Sequence, residues 1–149
     1  MQGKQVRSSL GYALVRAFRT VNRGSARALA THKLSAEQAH ILLVLWTEGP
    51  MKVGELQRVL ALGSGTLTGA VDRMEKAKLV RRAPDPSDGR AFVIEPAPFD
   101  AKKKQKIEAT LEGIERSSFA MLSVRERGEL FRLLTKVASA DDEGLHQAG

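Results

Sequence analysis

Apolar residues recur at Val6, Leu10, Leu14, Phe18 and Val21, in steps of three and four that put them on one face of a helix. The pattern predicts a long first helix over roughly residues 4 to 30. Its other face carries Arg7, Arg16, Arg19, Arg23 and Arg27. Ser35-Ala36-Glu37-Gln38 has the form of a capping box, in which the serine accepts from a free backbone N–H and the glutamine reaches back. The helix it opens runs through "HILLVLW", apolar nearly all round and so predicted to be central. Gly49-Pro50 ends it. Val53, Leu56, Val59 and Leu60 predict a short third helix. "LGSG" follows as a glycine-bearing turn, and Leu67, Val71 and Met74 predict a fourth helix ending near Lys78.

The period then changes. Leu79–Ala83 and Ala91–Glu95 are strand patterns joined by "PDPSDGR". Its prolines fix the backbone and remove donors that a hairpin tip cannot use. Asp85 can bond its own turn, and Gly89 permits a left-handed backbone if the tip needs one. Pro96 and Pro98 end the second strand. Ile107, Leu111 and Ile114 mark a fifth helix. Ser123-Val124-Arg125-Glu126 is a second capping box, opening a sixth helix through Leu130, Leu134 and Val137.

Helix, tight turn, helix and hairpin make a winged helix-turn-helix. The predicted fold is mainly α with a small β wing, about six helices and a two- to three-stranded sheet. One domain is expected over 1–149, with 34–97 as a DNA-binding lobe, 4–33 and 98–140 as dimerisation helices, and 141–149 as a frayed tail. The apolar stripes, with Leu10, Leu14 and Phe18 on the first helix and Leu130 and Leu134 on the last, have little of so small a lobe to cover. A twofold partner with interleaved terminal helices is the favoured solution, and packing within the chain is the alternative.

Charge adds a partner. The formal charge is +7 and the pI about 10.1, which invites a polyanion. Residues 1–33 hold seven Lys/Arg and no acid, whereas 107–149 hold five bases and eight acids. The absence of cysteine excludes a disulfide scaffold, a Cys-ligated zinc site and a thiol switch. His32, His40 and His146 have no i,i+4 ligand spacing, so no metal or other cofactor is expected. No apolar run spans a bilayer and the N-terminus lacks a signal-peptide core. A soluble cytoplasmic protein, nucleoid-associated when bound to DNA, is expected. "GSG" at 63–65 lacks a P-loop lysine, and no nucleophile elbow or zinc-hydrolase motif occurs, so an enzyme is not expected.

"LSAEQAHILLVL", "MKVGELQRVLAL", "TLTGAVDRMEKAKLVRR", "DPSDGR" and "LSVRERGELFRLL", in that order, resemble the MarR transcriptional regulators over roughly residues 5 to 140. "DPSDGR" fits that family's Asp-Pro-x-Asp-x-Arg wing signature at every fixed position. The resemblance implies a dimeric winged-helix DNA binder, in most cases a repressor. Many such proteins release DNA when a small, often aromatic or phenolic, compound binds between the dimer part and the DNA-binding lobe. Four positions depart from the pattern. Lys78 stands for the usual glycine before "LV", Gly69 for a basic residue, Gly65 for a serine, and "PAPFD" for a Leu-Thr-x-x-Gly helix start. Base readout by the recognition helix is therefore expected to be thin.

Candidate DNA contacts follow. Ser64, Thr66 and Thr68 place short donors and acceptors at a helix start, with plain solvation as the alternative. Arg73 reaches a phosphate or base edge, or else pairs with Asp72 or Glu75. Arg81 and Arg82 point to opposite faces of one strand, so one faces DNA and the other has an acid available. Arg90 at the wing is the candidate for minor-groove insertion, with Asp88 either holding it or capping the turn. Lys52 is a further phosphate candidate. "KKKQK" at 102–106 is the densest basic run, at a helix start where positive charge opposes the dipole. By the family's pocket position, Arg16, His40 and Trp46 are candidate ligand contacts, against ordinary roles on the surface and in the core. Two classes of function remain: a ligand-responsive DNA-binding regulator, and a winged-helix dimer serving as a protein-interaction module with weak or non-specific DNA binding.

Overall fold

The computed structural model describes residues 6–144, which fall into two compact units divided between Ile114 and Glu115. In the first unit, α1 spans Leu10–Leu29. Val6 and Arg7 are also helical, but the predicted helix is interrupted at Ser8-Ser9, where Ser9 is extended and accepts a hydrogen bond from the Tyr12 amide, so it caps α1 instead of continuing a helix through it. Residues 4 and 5 of the expected helix lie outside the described residues. One 3-10 turn, Ala30–His32, follows, and then α2 over Ala36–Glu48. The predicted capping box is present: Gln38 N donates to Ser35 Oγ at 3.1 Å and Ser35 N to Gln38 Oε1 at 3.0 Å. Ala39, Ile41, Leu42 and Leu45 of α2 are buried, so this helix is central.

A short strand β1 (Met51–Lys52) leads into α3 (Val53–Leu60) and α4 (Ser64–Lys76). The turn between them departs from the reading of "LGSG". Ala61, not a glycine, takes the left-handed backbone at φ 50°, and Gly63 is extended at the start of α4. The Leu62 amide reaches back to the Gln57 carbonyl at 3.1 Å, which closes a Schellman motif around Ala61. Lys78 does the same after α4, at φ 57°, with Leu79 N bonded to Met74 O at 2.9 Å. The lysine standing for the family's glycine thus keeps the glycine's backbone.

β2 (Val80–Asp85) and β3 (Asp88–Pro96) form the hairpin, with Pro86-Ser87 as its tip. The sheet is antiparallel in the order β1-β3-β2, with Met51 opposite Ile94 and Arg81 opposite Glu95. The register shifts between Pro84 and Asp85, and Gly89 stays out of the left-handed region, so the tip does not use that freedom. α5 (Ala101–Ser118) begins in this unit, and Ile107 joins Leu29, Leu42, Leu56, Leu67, Met74 and Ile94 in its core. Asp100 Oδ2 accepts from Lys103 N at 3.1 Å, which caps α5.

In the second unit α6 covers Val124–Gly144. Its predicted capping box is also present, with Ser123 N donating to Glu126 Oε2 at 2.8 Å and Glu126 N to Ser123 Oγ at 3.2 Å. The helix continues into the segment expected to fray. The rest of that segment, 145–149 with His146, lies outside the described residues. Among the described residues no helix is long and apolar enough to cross a membrane, and no group of acids and histidines is placed to hold a metal ion.

Candidate nucleic-acid interface

α4 buries one face through Leu67, Ala70, Val71 and Met74 and exposes the other. Ser64, Thr66 and Thr68 lie on the exposed side. Gly63 offers no capping side chain, so no side chain caps the amides at the N-terminus of α4. A helix start of this kind presents N–H groups and a positive dipole end to an anion.

Arg73 does not pair with Asp72 or Glu75. Its side chain turns back along α4, and a Cβ on Gly69 would lie 3.3 Å from its Nη1. Its Nη2 is 4.0 Å from Glu37 Oε1 at the start of α2. Asp72 and Glu75 are held instead by Arg82, with 2.6 Å between Arg82 Nη2 and Asp72 Oδ1 and a second ion pair to Glu75. Bonding to Asp72, with Glu75 close by, raises the Arg82 guanidinium above its ordinary pKa. Arg81 pairs with Glu95, its direct partner across the sheet. Both strand arginines therefore carry carboxylates, and neither is the unpaired outward cation expected of one of them. Lys52 is also engaged, with its Nζ 2.9 Å from Asp85 Oδ2.

Asp85 organises the wing base. It is buried, at 6% exposure, and its Oδ1 accepts from Ser87 N at 2.9 Å and Ser87 Oγ at 2.8 Å. The Ser87 amide, then Lys52, then the Ser87 hydroxyl hold its carboxyl down to about 2. Asp88 Oδ1 accepts from the Arg90 amide at 3.1 Å, so it caps the turn and does not grip the guanidinium. Arg90 itself is exposed, and its guanidinium has no hydrogen bond or ion pair among the described residues. The wing is a braced hairpin that holds out one unpaired arginine.

The basic run on α5 has a local use. Lys103 Nζ sits 5.4 Å over the Phe99 ring, and Lys104 Nζ 5.3 Å over Trp46 and 3.7 Å from Glu108. Trp46 meets Phe99 edge-on at 5.3 Å. Asp100 and Phe99 were missed by sequence reasoning. The available signal was an aspartate one residue ahead of a helical run, in the place of an N-cap.

A cleft of about 630 Å³ opens between α1, the start of α2 and the α3–α4 turn, with Phe18, Leu34, Glu37, His40, Leu60 and Leu62 in its lining. Of the three candidate ligand residues only His40 lines it. Arg16 instead lies 5.9 Å over the Tyr12 ring, and Trp46 belongs to the α5 cluster. Rough position along a helix does not tell which face a residue takes, and Phe18, read as a dimer residue, lines the cleft. His32 Nε2 is 2.8 Å from Thr110 Oγ1, which itself donates to the Lys106 carbonyl, so the imidazole is the donor there. On α1, Leu10 is 90% and Phe18 66% exposed, and Leu14 is also exposed. On α6, Leu134 is exposed and Leu130 half-buried.

The MarR family model matches residues 34–92, the span from the α2 capping box to the wing. The HTH-type transcriptional regulator MgrA of Staphylococcus aureus is 32% identical over 139 residues, covering 93% of each chain. Among solved structures, Bordetella bronchiseptica BpsR, described with regulation of its DNA binding by 6-hydroxynicotinic acid, superimposes with a TM-score of 0.80. It is 24% identical and covers 89% of this chain and 94% of its own. A point mutant of E. coli MarR complexed with operator DNA gives a TM-score of 0.72 at 23% identity, covering 86% of this chain and 92% of its own. The members of this family are transcriptional regulators rather than enzymes. With a curated relative aligned across nearly its whole length and a winged helix-turn-helix in the matching place, the chain belongs to the MarR family of transcriptional regulators.

Proposed function

We propose that the protein is a cytoplasmic, homodimeric repressor that binds a palindromic operator and releases it when a small ligand binds. One observation carries the reading. Lys52, Arg81 and Arg82 are tied to carboxylates that brace the wing, while the Arg90 side chain at its end and the hydroxyls at the start of α4 have no partners among the described residues. In this reading α4 enters the major groove with Ser64, Thr66, Thr68 and Arg73, and Arg90 enters the adjacent minor groove. The exposed apolar residues of α1 and of α6 are each covered by the second chain, and the cleft beside α2 receives the effector. The operator complex of the E. coli neighbour and the ligand-regulated Bordetella neighbour support both halves.

The second reading, a protein-interaction module, draws on the same ion pairs, since paired cations attract DNA less. Titration of a labelled fragment of the protein's own promoter, repeated over a range of salt, separates the two. A steep salt slope with a large specific-over-nonspecific ratio, at half-sites roughly 34 Å apart, is expected of the regulator. Weak binding indifferent to sequence rejects it.

A further inference from the structure

We propose that the cleft beside α2 takes an aromatic or amphipathic amine, and that Glu37 passes its occupancy on to Arg73. The inference rests on the reading of α4 as the helix that reads DNA. The cleft's apolar walls include Phe18, Leu34, Leu60 and Leu62, and Glu37 is its one carboxylate, with no lysine or arginine among its lining residues. Among the side chains that line the cleft, an anion meets a carboxylate, whereas an ammonium meets its complement.

The same carboxylate touches the recognition helix. Glu37 Oε1 lies at the outer limit of an ion pair with Arg73, at 4.0 Å, close enough to orient the guanidinium and loose enough to exchange. Gly69 eases this approach. Its bare backbone leaves the space that Arg73 crosses, 3.3 Å from where a Cβ would sit. The acids on α4 itself, Asp72 and Glu75, are held by Arg82 and offer no ready substitute. An ammonium at Glu37 therefore removes Arg73's orienting partner. A guanidinium reads guanine only when its fork is held in position, so the loss lowers selectivity for the operator before it lowers binding to DNA at large.

Three probes share one ring system and differ in charge: naphthylmethylamine, naphthylacetamide and naphthylacetic acid. Calorimetry on the full chain without DNA is expected to show the amine binding at least about fivefold more tightly than the acid. Glu37→Gln is expected to abolish that preference while leaving the Ser35–Gln38 cap and the fold intact. The amine should shift the Arg73 Nε–H resonance in the wild type and leave it in place in Glu37→Gln. On DNA, the amine should lower the wild type's specific-over-nonspecific ratio, and the variant should start low and not respond. Preference for the acid, equal or absent binding of the amine, or an Arg73 signal that stays put while the amine binds would each overturn the proposal. If the wild type selects no operator, the regulator reading fails, and the DNA-free calorimetry still decides the cleft.

Discussion

Arg90→Ala and Arg82→Ala remove the same charge from the same hairpin and should fail in different ways. Arg90 has no partner among the described residues, so its removal leaves no acid exposed and no hydrogen bond broken within the chain. The turn survives, because Asp88 caps it through the Arg90 amide and not through the side chain. The loss appears on DNA. A charge-assisted contact is worth about 1.5 kcal/mol or more, and the proposed twofold dimer would lose two of them. Roughly 3 kcal/mol is about 100-fold in Kd, and two fewer phosphate-level contacts flatten the salt slope by about 2. Arg82→Ala instead strands Asp72 and leaves Glu75 only its bond from the backbone N–H of residue 82, loosening the carboxylates that fasten β2 to α4. It is expected to cost about 1 kcal/mol of stability, 2–4 °C in Tm for a domain of this size, with a far smaller effect on affinity. Fluorescence anisotropy on operator DNA at several salt concentrations, with thermal melts of each variant, distinguishes the two. Equal losses of affinity would mean that net charge alone drives binding, and an Arg90→Ala protein with wild-type affinity and salt slope would refute the role of the wing.

Lys78→Gly should stabilise the protein by about 1 kcal/mol, because glycine carries none of the left-handed penalty of roughly 1–2 kcal/mol that a lysine bears at φ 57°, less its own entropy. Lys78→Ala keeps the Cβ and should bring no such gain, so a urea midpoint that rises equally in both would point to charge and not backbone. Asp85 is held below its ordinary value of 3.8, to about 2, so its contribution is complete above pH 4 and disappears as pH falls toward 2. Urea unfolding of Asp85→Asn should therefore depend less steeply on pH over that window than the wild type, and parallel profiles would reject the assignment. Leu10→Glu and Leu134→Glu each place a charge on an exposed apolar stripe, and sedimentation velocity should show a shift from dimer to monomer. A dimer unchanged in both variants would mean that the second chain docks elsewhere.

The features legible in the sequence are those that a short window contains. Both capping boxes, the central burial of α2 and the hairpin around "PDPSDGR" depend on neighbours three or four residues away, and each is found where the pattern placed it. The left-handed turns were harder. Ala61 and Lys78 adopt that backbone because the following residues, Leu62 and Leu79, bond back to the helix end, and tertiary burial of Leu79 and Met74 holds one of those turns closed. A glycine in the string marks where a left-handed backbone is cheap, not where it occurs. The partners of the arginines were the least legible. Arg81 finds Glu95 through strand register, and Arg82 finds Asp72 and Glu75 because β2 packs beside α4. Lys104 of α5 finds Trp46 by the same kind of distant packing. None of these choices is encoded within a helical turn of the residue that makes it.

That distribution of partners changes what a net charge of +7 means for function. If every cation in the lobe were free, binding would be dominated by counterion release, which carries no sequence information. Lys52, Arg81 and Arg82 instead place their charge within the chain, on pairs that tie β2 to β3 and fix the wing to α4 and to β1. On the proposed reading their effect on DNA is indirect: they hold Arg90 and the start of α4 at a set separation, so less order must be imposed on binding. Gly69 fits the same logic. Its missing side chain first reads as a lost contact, yet it gives Arg73 a path over the helix face toward Glu37. On the proposed reading, a recognition surface that looks sparse when contacts are counted along the sequence concentrates its readout in two arginines. One is oriented by a carboxylate, and the other is held out on a braced turn.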